Sequence, residues 1–117
     1  MRHFGIDEAN RMIPALKTTF EAVRPLALQL EDLTESAARA ALNERIQKVL
    51  EPIVESGIEV KALDGLVDFR AMLDGRTVYL CWRWGEERIT YWHELDTGYA
   101  GRRPIKPGDA FERSYAS

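Results

Sequence analysis

Only one cysteine, Cys81, occurs among the 117 residues, so no disulfide can form within the chain and stability has to come from a packed core. No apolar run approaches the roughly 18 residues of a membrane span. The opening MRHFGIDEANRM lacks the apolar stretch of a signal peptide. These absences lead to the expectation of a soluble, cytoplasmic protein that does not engage membranes. Neither sign of charge dominates: the formal net charge is −3, from 16 Lys and Arg against 19 Asp and Glu, spread evenly over both halves. A cationic face able to neutralise phosphates is therefore not expected, which argues against a nucleic-acid partner. P-loop, Cys-x-x-Cys and His-Glu-x-x-His patterns are all missing, so no motif names a reaction or a cofactor, and no metal site is expected.

What is present is the composition of one ordinary globular domain, 45% apolar and 30% charged in 13.4 kDa. Ile6, Ala9, Ile13, Leu16, Phe20, Val23, Ala27 and Leu30 recur at steps of three and four, the stripe of an amphipathic helix. Pro14 and Pro25 each remove a backbone donor, which predicts a short first segment, a restart near Pro14 and a bend near Pro25. The polar run from Glu31 to Ser36 predicts a reversal, with Thr34 or Ser36 as cap. A second helix follows to Ser56, stopped by Gly57. Residues 6–56 thus read as an antiparallel helical hairpin.

After Gly57 the period changes to two, and the pairs Asp64-Gly65 and Asp74-Gly75 are strong hairpin signals. Two-residue turns there set Val60 opposite Phe69, Val67 opposite Trp82 and Phe69 opposite Leu80. They also set Glu59 opposite Arg70 and Lys61 opposite Asp68 on the other face. An even loop at Gly85 then sets Trp82 opposite Tyr91 and Leu80 opposite His93. The reading is an α+β domain: the helical hairpin packs on one face of a four-stranded antiparallel meander over residues 58–96. Ile58, Val60, Ala62, Val67, Phe69, Ala71, Val78, Leu80, Trp82, Ile89, Tyr91 and Leu95 are expected to face the helices. A glycine and arginine loop at 97–103 and an extended tail at 104–117 complete the chain, with Phe111 and Tyr115 able to dock.

Four stretches carry a resemblance: Glu8-Ala9-Asn10 with Pro14, Gly65 to Phe69, Val78 to Glu86, and Tyr91 to Asp96 with Gly98 to Arg102. They resemble the bacterial family catalogued as domain of unknown function 2203, over most of the chain up to Pro104. The resemblance implies a small bacterial protein and brings no catalytic residues with it.

The stretch from Arg76 to Arg103 holds all three tryptophans, three of the four tyrosines, the cysteine and one of the two histidines, so the site is sought there. The outward face of this reading gathers Asp68, Arg70, Tyr79, Cys81, Arg83, Thr90, Trp92 and Glu94. A tryptophan and a tyrosine rimmed by charges make a partner surface, and Tyr79, Trp92 and Arg70 are the expected contacts of a homodimer. The first functional reading is accordingly a non-enzymatic binding and assembly module. The alternative is a binding or catalytic site for a small anionic molecule at Arg83, Glu94, Tyr99 and Arg102, with Glu94, Tyr79 and Arg83 as the acid–base set to test. His93 is expected on the helix side as a core histidine donating to a helix carbonyl or carboxylate. Because His93 and Glu94 alternate along a strand, they are not expected to share an ion. Cys81 reads as a small packed side chain, with His93 turned away from it.

Overall fold

The computed structural model describes residues 2–111, and the position expected for Tyr115 lies outside them. Three helices precede an antiparallel sheet. Helix α1 (Ile6–Arg11) is short because Met12 ends it and Pro14 opens the next, where a missing N–H costs nothing. Gly5 has no capping side chain, but its N–H donates to Glu8 Oε1 at 3.3 Å, which is half of a capping box. Helix α2 (Ile13–Asp32) continues through Pro25. Helix α3 (Ser36–Glu55) is capped by neither Thr34 nor Ser36. The carboxylate of Glu35 takes that role, accepting from Ala37 N at 3.1 Å and Ala38 N at 2.7 Å, and its charge complements the helix N-terminus.

Strands β1 (Glu59–Ala62), β2 (Leu66–Leu73), β3 (Arg76–Arg83), β4 (Tyr91–His93) and β5 (Arg103–Pro104) lie in chain order in one sheet. The expected four strands are therefore five, because the glycine and arginine loop brings Arg103 and Pro104 back beside Trp92 and Tyr91. Phe111 in the tail is buried against Trp92, with ring centroids 6.4 Å apart. One sheet face meets α2 and α3 through Leu16, Phe20, Val23, Ile46, Leu50 and Ile53. The sheet answers with Val67, Phe69, Val78, Leu80 and Trp82, all essentially inaccessible. Each large side chain removed from water contributes about 1.5–3 kcal/mol, so this face sets which way the sheet looks.

The three hairpins differ in how they match expectation. β2 and β3 pair as predicted, Val67 with Trp82 and Phe69 with Leu80. Asp74 and Gly75 both take positive φ, 50° and 79°, the pairing that a two-residue turn of right-handed twist requires. β1 is slid by two residues, with Glu59 opposite Asp68 and Val60 opposite Val67. The loop there has three residues, closed by Gly65 N to Ala62 O at 3.1 Å, and a bulge follows between Val60 and Ala62. A two-residue slide keeps Glu59 and Val60 on their expected faces, while the bulge sets Ala62 opposite Leu66 instead of Val67. Arg70 still reaches Glu59 diagonally at 2.8 Å, while Lys61 bonds Glu59 at 3.0 Å in place of Asp68.

The third hairpin is one residue out of the expected register. Tyr79 pairs with His93, Leu80 with Trp92 and Cys81 with Tyr91. The connection is a long loop tied at both ends, and not a tight even turn. Trp82 Nε1 donates to Glu86 O at 2.8 Å, and Ile89 N donates to Asn10 Oδ1 of α1 at 2.8 Å. Ile89 still enters the core, but from the loop. A one-residue slip exchanges the faces of a strand. Trp92 therefore turns toward the core, Tyr91 and His93 turn outward, and Leu95, expected inside, is 48% exposed beyond the strand end.

One turn glycine tests this geometry. A Cβ at Gly65 would stand 2.6 Å from Trp84 Cβ at a φ of +113°, whereas a Cβ at Gly75 meets nothing. Gly65→Ala is expected to cost about 2–4 kcal/mol in urea unfolding and Gly75→Ala about 1–2 kcal/mol. Equal costs would contradict the close approach of the first turn to Trp84.

Candidate functional site

On the face away from the helices, β2, β3 and β4 alternate outward Asp68 and Arg70, then Tyr79, Cys81 and Arg83, then Tyr91 and His93. Asp68, Cys81 and His93 are cross-strand neighbours there. Their carboxylate, thiol and imidazole ligand atoms all lie within 4.8 Å of one another, and the residues are 3%, 0% and 1% exposed. His93 Nε2 stands 3.1 Å from Asp68 Oδ1, and its Nδ1 stands 2.7 Å from the Glu94 carbonyl oxygen. Tyr79 stacks beside the imidazole at 5.4 Å and donates its hydroxyl to Glu59 at 2.9 Å.

Arg102, delivered by the short 3₁₀ turn Tyr99–Gly101, lies over this cluster's edge. Its guanidinium stacks on Tyr91 at 4.2 Å and Tyr99 at 4.7 Å, and donates to Glu86 Oε1 at 2.7 Å and to the Cys81 carbonyl at 3.3 Å. Its Nε is buried and has no hydrogen-bond partner among the described residues. Arg83 approaches the Tyr99 ring at 5.2 Å and pairs loosely with Asp64 at 3.3 Å. The Tyr99 ring thus has two guanidinium groups within cation–π reach.

The electrostatics follow from this packing. Burial pushes the Cys81 thiol up to about 12, the charge of Asp68 adds to it, and the charge of Arg102 opposes. A neutral thiol of this kind is no nucleophile. Glu59 is held below its ordinary value: burial works against that, but hydrogen bonds from Lys61 and Tyr79, the charge of Lys61 and the Arg70 bond outweigh it.

Of the four residues expected to hold an anion, Arg83, Tyr99 and Arg102 come together. Glu94 does not. It forms a two-point ion pair with Arg76 at 2.8 Å and 3.1 Å near the other end of the strands. Its expected place is taken by Glu86, which the sequence reading did not single out. The acid–base set of Glu94, Tyr79 and Arg83 is likewise separated, since Tyr79 bonds Glu59. Of the expected dimer contacts, Trp92 is 7% exposed on the core side and Tyr79 is 6% exposed, leaving Arg70 half-buried beside Glu59. His93 does not reach a helix carbonyl or carboxylate as expected: it lies on the opposite face beside Cys81, against the Asp68 carboxylate of β2 and the Glu94 carbonyl. The signal that could have found this is Trp92 itself. An outward tryptophan was the anomaly of the even register, and the odd register removes it.

The chain belongs to the family described as uncharacterized conserved protein (DUF2203), whose family model matches residues 2–105. No curated protein and no solved structure matches the chain. No helix among the described residues is long and apolar enough to cross a membrane.

The raised thiol gives a prediction with a definite sign. A folded-state value above the ordinary 9.0 means that the fold favours the protonated thiol. Its contribution to stability is complete below pH 9.0 and is lost as pH rises toward about 12. Urea midpoints should fall over that window, and less steeply in Cys81→Ala. At neutral pH, a disulfide-exchange reagent should label Cys81 at least about a hundredfold slower in the native protein than in urea. Equal labelling rates would contradict the buried placement.

Proposed function

We propose that this member of the DUF2203 family is a small-ligand binding module whose working surface is the outer face of its sheet, and that the ligand's anionic group is taken at the corner formed by Arg83, Tyr99 and Arg102. The observation that carries this reading is the buried Arg102 Nε, which has no hydrogen-bond partner among the described residues. An unsatisfied buried donor costs about 1–3 kcal/mol, and more when charged, so a fold that keeps one has a use for the missing acceptor. The rest of the guanidinium is held in place by two tyrosine rings, Glu86 and the Cys81 carbonyl, so little ordering remains to be done on binding. Arg83 supplies a second, partly exposed cation whose single pairing to Asp64 is long and easily exchanged. A carboxylate or phosphate bridging the two arginines would meet a planar donor fork and an aromatic platform.

A self-assembly role for the same face has less support, because its expected anchors Tyr79 and Trp92 are already buried within one chain. Hot spots of protein interfaces are large side chains that the free partner leaves accessible.

A thermal-shift panel of small carboxylates, phosphates and phosphate esters tests the reading. At least one class should raise the melting temperature of the wild type in a saturable way. Arg102→Lys, which keeps the charge but loses the Nε donor and the fork, should lose the shift, and Arg83→Gln should weaken it. A flat response of the wild type across the panel would overturn the proposal.

A further inference from the structure

The Asp68, Cys81 and His93 cluster has a feature that the anion corner does not use. Both nitrogens of His93 face oxygen acceptors, the Glu94 carbonyl at 2.7 Å and the Asp68 carboxylate at 3.1 Å. A neutral imidazole carries one N–H and one lone pair, so it can donate to only one of them. The carbonyl accepts only, which places an N–H on Nδ1 and leaves Nε2, the nitrogen facing Asp68, as the one able to ligate in the neutral ring. This is the arrangement in which proteins present a metal-ligating histidine, with the far nitrogen anchored to a backbone carbonyl. The third neighbour is Cys81, the only cysteine of the chain, and it comes from the strand between the other two.

We propose that Asp68 Oδ, Cys81 Sγ and His93 Nε2 form a binding site for a single thiophilic divalent cation of the zinc class. Three donors from adjacent strands β2, β3 and β4 converge with no loop intervening, so the site is built on the most rigid part of the fold. Donor atoms in a tetrahedral zinc site stand about 3.3–3.7 Å apart, given bonds of roughly 2.0–2.3 Å. The 4.8 Å spread of the three therefore needs a contraction of about 1–1.5 Å, within the reach of side-chain rotation. Oxygen, nitrogen and thiolate together select zinc, cobalt or ferrous iron over magnesium or calcium, which take oxygen donors alone. The charges also close: carboxylate and thiolate balance a dication, while Arg102 is balanced by Glu86 at 2.7 Å. Three protein donors leave a fourth position open, the pattern of sites that hold a water or an exogenous ligand. The inference does not depend on anion capture at Arg83 and Arg102.

Cobalt(II) reports on the site directly. The full chain is stripped with chelator under reducing conditions and titrated with cobalt(II) alone. The expected result is saturation at one ion per chain, with the intense visible bands of tetrahedral cobalt and a near-ultraviolet thiolate-to-cobalt transition, all displaced by zinc. Since no other cysteine exists, Cys81→Ser should abolish the thiolate transition while circular dichroism stays unchanged. His93→Gln and Asp68→Asn should each weaken cobalt binding by more than about tenfold. A wild type without a saturable thiolate transition overturns the proposal. So does a transition whose affinity is the same in folded His93→Gln and Asp68→Asn, which would mark a solitary thiol collecting metal. The anion panel reads a different signal, so failure of one reading leaves the other standing.

Discussion

Two hydrogen bonds in one loop decide what this sheet presents to its surroundings. Ile89 N donates to the Asn10 side chain on α1, and Trp82 Nε1 donates to the Glu86 carbonyl. Together they lengthen the connection between β3 and β4 and draw Ile89 into the core from outside the strand. The strand that follows pairs one residue earlier than the expected even hairpin would have it, with Trp92 and not His93 opposite Leu80. Because side chains alternate along a strand, that single residue chooses between two proteins. In one, His93 lies under the helices and Trp92 meets solvent. In the other, the one seen, Trp92 fills the core and His93 joins Cys81 and Asp68 on the outer face.

Energetics favour the second arrangement on the apolar side and tax it on the polar side. Burying Trp92 against Leu80 and Phe111 is worth more than burying Tyr91 or His93 in the same slot. The outer face then buries a carboxylate, an imidazole and a guanidinium that a purely structural sheet would replace with apolar side chains at little or no loss. Glu59 and Glu86 recover part of this cost by pairing Arg70, Lys61, Tyr79 and Arg102. The Arg102 Nε, without a partner among the described residues, is what remains unbalanced. Local conflict of this kind, in a fold that is otherwise consistent from turn to core, gathers at functional sites.

The helices and the β2–β3 hairpin were legible in the sequence because their signals are local. The stripe from Ile6 to Val23 reads a helix face without knowledge of the sheet, and Asp74-Gly75 takes the two positive φ values that its residues favour. Asp64-Gly65 looks the same in sequence, yet only Gly65 goes positive and the loop grows to three residues, a difference set by the close packing of Trp84 on the turn. The β3–β4 connection carries no turn signature strong enough to fix its length. Its ties run to Asn10, 79 positions away, and periodicity cannot see contacts at that range. Arg83, Tyr99 and Arg102 come together as the sequence suggested because the loop carrying two of them is short and starts beside the sheet edge. The grouping of His93 with Cys81 was missed because it needed the register that this loop decides.

The register of β4 is therefore the point at which the account stands or falls, and proton–proton contacts in solution read it directly. The His93 ring protons should give nuclear Overhauser effects to the Cys81 β-protons and the Tyr79 ring, while the Trp92 indole contacts Leu80 and Phe111. Contacts from the His93 ring to Leu80 and Phe20, with the Trp92 indole among Arg70 and Cys81, would contradict it.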